Sequence, residues 1–253
     1  MKFNALLFSL FLFQVLPMVG IAYAQEKPEE ADFRIDSDIY DDEKKPPLYS
    51  IQTIFCAGQY IELNDKNGRV TVVDPGKGRV TILDSKQKAL VHLEMQALEN
   101  QLNHVLEGLT PAQQKKFMCD GTTYFGADNF ITIGNEWFRY KFRAVTPSNP
   151  NIAISYGDFA NWTARVNALH YKAPQFIRME LNQLLIDQRQ LPAELRRYTM
   201  LPPSPTEPNG KTEEIIARLI LKDSLSNNDR TRVANVLKSM TEFKPTTEKE
   251  FFR

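Results

Sequence analysis

The chain has 253 residues, 42% of them hydrophobic and 25% charged, and its 31 basic residues balance 31 acidic ones. That composition is globular and excludes a wholly disordered chain, while the even charge leaves no basic field to draw in nucleic acid. Three histidines and two cysteines are too few for most imidazole or thiolate metal cages, so no metal or cofactor is expected.

Met1 and Lys2 precede an apolar run over 3–13, which Pro17 and Gly20 break before Ala22-Tyr23-Ala24. A short positive start, an apolar middle and an A-x-A triplet predict an export signal over residues 1–24. The run is shorter than the roughly 20 residues of a spanning helix, and no other stretch is long and apolar enough. The expected product is periplasmic or extracellular, with no integral membrane segment after cleavage. Residues 25–32 then read as a charged, proline-bearing mobile arm.

Export changes how Cys56 and Cys119 read. In an oxidising compartment the simplest expectation is a disulfide, which closes a loop of about 64 residues and stabilises by about 4 kcal/mol on loop-entropy reasoning. Two buried free thiols are the alternative. No C-x-x-C spacing or adjacent histidine marks either cysteine as catalytic.

From Asp32 the hydrophobic period is two. Phe33, Ile35 and Ile39 alternate with Arg34, Asp36 and Asp38, which predicts a strand; a charged break at 41–47, a strand over Tyr49–Cys56 and a short strand at 60–63 follow. Segments 68–74 and 78–84 are near copies joined by Pro75-Gly76-Lys77. They read as a hairpin rather than a phosphate loop, because the turn feeds a β-branched run and not a helix.

Met95, Leu98, Leu102, Val105 and Leu106 fall at helical spacing, with Gly108 expected to close the helix in the left-handed conformation. Thr110-Pro111 caps a short second helix reaching Phe117. His92 and His104 have no partner at ligand spacing and read as surface or capping residues.

Strand pattern returns at 130–133 and at 137–145. In the second of these, Phe138, Tyr140 and Phe142 share one face, and Arg139, Lys141 and Arg143 share the other. The aromatic set is the candidate lining of an apolar ligand cavity; the cationic set is the candidate contact for a carboxylate, phosphate or anionic polymer. The same alternation is what any half-buried strand shows, with aromatics in a core and long cations in water.

The remainder reads as mainly helical. Ser155 and Asp158 form a capping box before an apolar stripe of Phe159, Trp162, Val166 and Leu169, and the Asn161-Trp162-Thr163 sequon falls inside that helix. Pro174 opens a second helix with Ile177, Leu181, Leu184 and Leu185 inward, and Leu191-Pro192 begins a third short piece. A proline-rich loop at 202–210 leads to one closing strand at 215–222. Ser226 and Asp229 cap a last helix that buries Val233, Val236, Leu237 and Met240, and 244–253 reads as a frayed tail.

The chain lacks a G-x-S-x-G turn, H-E-x-x-H and a dinucleotide fingerprint, so no catalytic residue is assigned. Asp120, Asp128, Glu136 and Asp158 stay open as acids that meet only in space, with a solvated surface carboxylate as the plainer reading of each.

The succession F-R-I-D-S-D-I-Y, T-I-F-C-A-G, R-V-T-V-V-D-P-G-K-G-R-V-T-I-L-D and N-P-N-I-A-I-S-Y-G-D-F-A-N-W resembles an uncharacterised family of exported bacterial proteins, a match that implies no activity. More loosely, long meandering strands followed by a helix are similar to the curved half-barrel of periplasmic lipoprotein-carrier proteins. That fold-level resemblance implies acyl chains held between a sheet and helices.

The sequence thus predicts one α+β domain over 33–243. An antiparallel, meander-type curved sheet from 33–145, with the strand at 215–222, is covered by several amphipathic helices. The expected function is non-enzymatic binding of an apolar or amphiphilic ligand or an envelope component, with a lipid-like small molecule or an envelope protein as partner. The alternatives are a structural or protein-interaction module of the cell envelope, which requires a large exposed apolar patch, and a hydrolase whose carboxylates perturb one another in a cleft.

Overall fold

The computed structural model describes residues 31–119, 123–126, 129–171, 175–203, 208 and 210–252. The leader, residues 25–30 of the arm, Asp120, Asp128, Pro174 and positions 204–207 and 209 of the proline-rich loop lie outside the described residues.

Six strands form a first antiparallel meander: β1 (Phe33–Tyr40), β2 (Tyr49–Cys56), β3 (Gln59–Asn64), β4 (Arg69–Asp74), β5 (Arg79–Asp84) and β6 (Ala89–Glu94). The β4–β5 hairpin turns through a single 3-10 turn, Pro75–Lys77, which ends on Gly78 at φ 63°. Glycine enters that left-handed region without the steric cost of a Cβ. Two helices follow, α1 (Met95–Glu107) and α2 (Pro111–Phe117); the latter carries the expected Thr110 cap, which is completed to a capping box by Gln113, with Thr110 accepting from Gln113 N. Gly108 closes α1 in the right-handed region at φ −84°, not the left-handed one expected.

A second meander comprises β7 (Thr123–Phe125), β8 (Ile131–Gly134) and β9 (Phe138–Val145). It continues, after α3 (Pro150–Tyr171) and α4 (Phe176–Asp187), into β10 (Leu191–Leu201) and β11 (Lys211–Lys222). β11 pairs with β1 and joins the two meanders into one open, curved sheet. The chain ends with α5 (Asn227–Glu242), β12 (Lys244–Pro245) and α6 (Glu248–Phe251). Among the described residues the strand order is β12-β6-β5-β4-β3-β2-β1-β11-β10-β9-β8-β7, antiparallel except at the β12–β6 edge. The α+β class with a meander sheet is the one the sequence predicts.

Pairing assigns the faces. Phe33, Phe55, Val73, Val80 and Leu93 lie on an inner face and pack with Met95 and Leu98 of α1 and Ala153, Tyr156 and Phe159 of α3. Phe33 and Phe55 stack at 4.0 Å between ring centroids. Toward β8 and β9 the inner face is covered by α4, through Ile177, Leu181 and Leu185 against Ile133, Tyr140 and Phe142. On the outer face, Ile54, Ile61, Val72, Leu83 and Leu90 pack under Val233, Val236, Leu237 and Met240 of α5. A Cβ on Gly157 of α3 would stand 2.3 Å from Ile186 Cγ1 of α4, so only glycine allows this approach of the two helices.

Four further expectations are corrected. Leu191-Pro192 begins a strand, not a helix: Pro192 sits at a register shift opposite β9, where a missing N–H is tolerated, and the second half therefore holds two long strands. The helix expected from Ser155 starts at Pro150, where Asn149 Oδ1 accepts from Asn151 N and proline takes the first turn; Asp158 is inside the helix. The tail is docked, because Thr246 N donates to Leu90 O at 2.8 Å and Phe251 is 4% exposed within the inner core.

The fourth is the disulfide. Cys56 and Cys119 are both free. Cys56 packs with the outer core on β2, while Cys119 packs with the inner core beside Gly134 of β8, its Sγ 3.6 Å from the Gly134 carbonyl. β2 and β8 are five strand spacings apart, about 24 Å along the sheet, where a disulfide needs Cα atoms within about 7 Å.

Candidate functional site

Where β3, β2, β1, β11, β10 and β9 pass beneath α3, small side chains face small side chains. Ser37, Thr53 and Ala217 form the floor, with Ala160, Thr163 and Ala164 of α3 as the roof. Side chains of this size leave a gap between a sheet and a helix that larger residues would close, and here the gap is a cavity of about 280 Å³. That is near the lower end, about 300 Å³, of small-molecule sites. Ile39, Ile51, Leu195 and Leu219 supply its apolar walls.

The ends are polar. At the β3 end stands Glu62, on the inner face because it pairs opposite Thr53 in the register set by Phe55 and Tyr60. Among the described residues it makes no hydrogen bond or ion pair. The residue is half-buried in the cavity wall, and burial pushes its carboxyl up to about 7. At the other end lie Arg178 of α4 and Arg197 of β10. Arg178 Nη2 donates to Tyr156 Oη at 3.3 Å, and its guanidinium carbon lies 5.8 Å from the Tyr140 ring centroid. Arg178 Nη1 is buried without an acceptor. Burial pushes the Tyr140 phenol above its ordinary value, with Arg178 and Arg197 opposing the rise.

Of the aromatic residues singled out in the sequence, Tyr140 lines this cavity. Phe138 borders a separate space of about 50 Å³ beside Phe117 and Thr199, which Tyr140 also lines. Phe142 is 0% exposed under α4 and lines neither of these two spaces. The cationic residues lie on the opposite face, as the alternation requires. Arg139 stacks 5.0 Å from the Tyr198 ring centroid, Lys141 sits 4.8 Å from that of Phe130, and Arg143 lies 3.8 Å from Glu194. Glu194, 5% exposed, is the hub of that outer cluster, with Arg196 at 2.6 Å and Arg218 at 3.4 Å. Arg143 therefore belongs to an ion-pair cluster, Arg139 and Lys141 lie over aromatic rings, and none of the three lines the cavity.

The acids left open by the sequence are also placed. Glu136 is exposed and 3.8 Å from Lys115. Asp158 accepts a hydrogen bond from Tyr60 Oη at 3.1 Å; burial raises its carboxyl, with the Tyr60 hydrogen bond and Arg165 opposing. It borders a cleft of about 860 Å³ between the Pro75–Lys77 turn and the start of α3. The acids there are already partnered: Asp74 accepts from Gln59 at 2.7 Å and pairs with Lys77 at 3.0 Å. A third, apolar groove of about 220 Å³ runs between α1 and α3 along Leu98, Leu102 and Leu169. Arg165, whose buried Nε has no acceptor, also lines that groove, whereas the 280 Å³ cavity sets unpartnered groups of opposite charge, Glu62 and Arg178, at its two ends. Among the described residues no group of three or more His, Cys, Asp or Glu is placed to hold a metal ion, and no helix is long and apolar enough to cross a membrane. His92 is on the outer face of β6, its Nδ1 2.9 Å from Thr81 Oγ1.

No family model matches the chain, and comparison with curated proteins finds no similar one.

Glu62, Arg178 and Arg197 escaped sequence reasoning. A signal for Glu62 was present, since the period-two run puts Tyr60, Glu62 and Asn64 on the face that Phe55 marks as inner. A second was the row Ala160, Thr163, Ala164 and Asn167, spaced to share one side of α3 where leucines would fill a core.

Proposed function

We propose that the protein, exported by its leader peptide, is a non-enzymatic binder of an apolar or amphiphilic molecule held between the sheet and α3. The observation that carries this reading is the cavity floored and roofed by small side chains, with apolar walls and unmet polar groups at its ends. A protein that gained only stability from this region would fill it, because each buried methyl-sized void costs about 1 kcal/mol.

Native mass spectrometry of protein purified from its own source, before and after organic extraction, tests the proposal. A lipid-sized mass lost on extraction is the expected result. A single apo mass in both samples would contradict it.

A further inference from the structure

The cavity crosses six adjacent strands, about 24 Å measured as five strand spacings along the sheet. Its polar groups are segregated. Among the described residues Glu62, an acceptor without a donor, stands at the β3 end; two arginines stand at the β9–β10 end, Arg178, whose buried Nη1 has no acceptor, and the exposed Arg197. Between them the walls are Ile39, Ile51, Ala217 and Leu219. A buried polar group left unpaired costs free energy, so the two ends ask for opposite chemistry from one occupant.

We propose that this cavity takes an elongated amphiphile polar at both ends: a carboxylate at Arg178 and Arg197, an apolar chain over Ile51 and Ala217, and an ammonium or hydroxyl at Glu62. The proposal rests on the ligand-binding reading above and adds the class and direction of the ligand. Arg178 presents a planar donor set suited to a carboxylate, and its hydrogen bond to Tyr156 together with its stacking near Tyr140 holds that plane in the cavity wall. Among the described residues Glu62 meets no cation, so a ligand donor has no competitor from them. A simple fatty acid would leave Glu62 unmet, and a simple alkylamine would leave the arginines unmet.

Isothermal titration of the delipidated full mature chain with ω-aminododecanoic acid, dodecanoic acid and dodecylamine tests this, alongside the near-isosteric Glu62→Gln and Arg197→Gln at an exposed position. The bifunctional probe is expected to bind at least about tenfold tighter than dodecanoic acid. Glu62→Gln is expected to erase that preference while leaving dodecanoic acid binding in place. Arg197→Gln is expected to weaken both acids and leave dodecylamine unchanged. Equal binding of the two acids by the wild-type protein, or an unchanged preference in Glu62→Gln, would overturn this inference and leave amphiphile binding standing. Absence of binding by all three probes would overturn both.

Discussion

Arg34 Nη1 of β1 lies 2.7 Å from Asp229 Oδ1 of α5, and this ion pair pins the helix to the outer face of the sheet. The same carboxylate caps α5, where Asp229 Oδ2 accepts from Ser226 N at 2.9 Å and from Ser226 Oγ at 2.7 Å. Burial alone would raise the Asp229 carboxyl, but the hydrogen bonds from Ser226 and Arg34 outweigh it and hold it below the ordinary value. A depressed acid contributes stability above its unfolded pKa, about 3.9, that is lost as pH falls through the lower folded value. Asp229→Ala is expected to cost about 2 kcal/mol in urea denaturation at pH 7, from the lost cap and the lost ion pair to Arg34, which keeps only Asp36 at 2.9 Å. The deficit should shrink below pH 4.

Glu62 works in the opposite sense. Its folded carboxyl titrates at about 7 against an unfolded value of about 4.3, so the native state keeps a proton that the unfolded chain releases. Stability is therefore expected to fall as pH rises from about 4.3 to about 7 and to level off above. The other titratable or charged groups of the cavity are Tyr140, Tyr156, Arg178 and Arg197, none of which has an ordinary pKa in that window. Glu62→Gln should match wild-type Tm at pH 4 and exceed it at pH 8; parallel Tm profiles would refute the assignment.

Phe251 carries the C-terminal segment into the inner core, with the Arg69 guanidinium 5.6 Å from its ring centroid. Phe251→Ala is expected to cost about 3 kcal/mol by urea denaturation, a core deletion rather than the loss of a loose end. An effect within experimental error would mean that the tail is undocked.

Cys56 and Cys119 should both react with a thiol reagent once the chain is unfolded without reductant, and the Cys56→Ser/Cys119→Ser protein should not depend on redox conditions for its Tm. Burial pushes the Cys56 thiol up, with Asp32 adding to the rise and Arg230 opposing it, so its reaction in the folded state at pH 7 should be slow. A mass two hydrogens short in non-reduced protein would contradict the free-thiol assignment.

The fold was legible where local chemistry and tertiary packing agree. Thr110-Pro111 and Ser226 with Asp229 cap helices as their residues predict, and the copies around Pro75-Gly76-Lys77 pair as β4 and β5. It was illegible where one signal masks another. β6 runs straight into α1 with no turn residue between Glu94 and Met95, so its alternation is hidden by the helical period that follows. Proline at 192 suggested a helix start because the bulge that accommodates it is set by β9, more than 45 residues earlier.

The candidate site was half legible for a related reason. Alternation along β9 separates Tyr140 from Arg139 and Lys141 correctly, but it does not tell which inner residues meet a cavity and which meet α4. That depends on α3 presenting Ala160, Thr163 and Ala164 over some strands while α4 presents Leu181 and Leu185 over others. The disulfide expectation failed on distance: it rested on an expected compartment, whereas the sheet order decides whether two cysteines meet.

Saturable uptake of the neutral fluorophore N-phenyl-1-naphthylamine by the wild-type protein and by Ala164→Phe or Ala217→Phe tests the cavity most directly. Each variant sets an aromatic ring into the space between floor and roof. Saturable uptake by the wild type, lost by at least about tenfold in a variant that keeps its Tm, is the expected result. Uptake unaltered by either ring, or none in the delipidated wild type, would contradict ligand binding beneath α3.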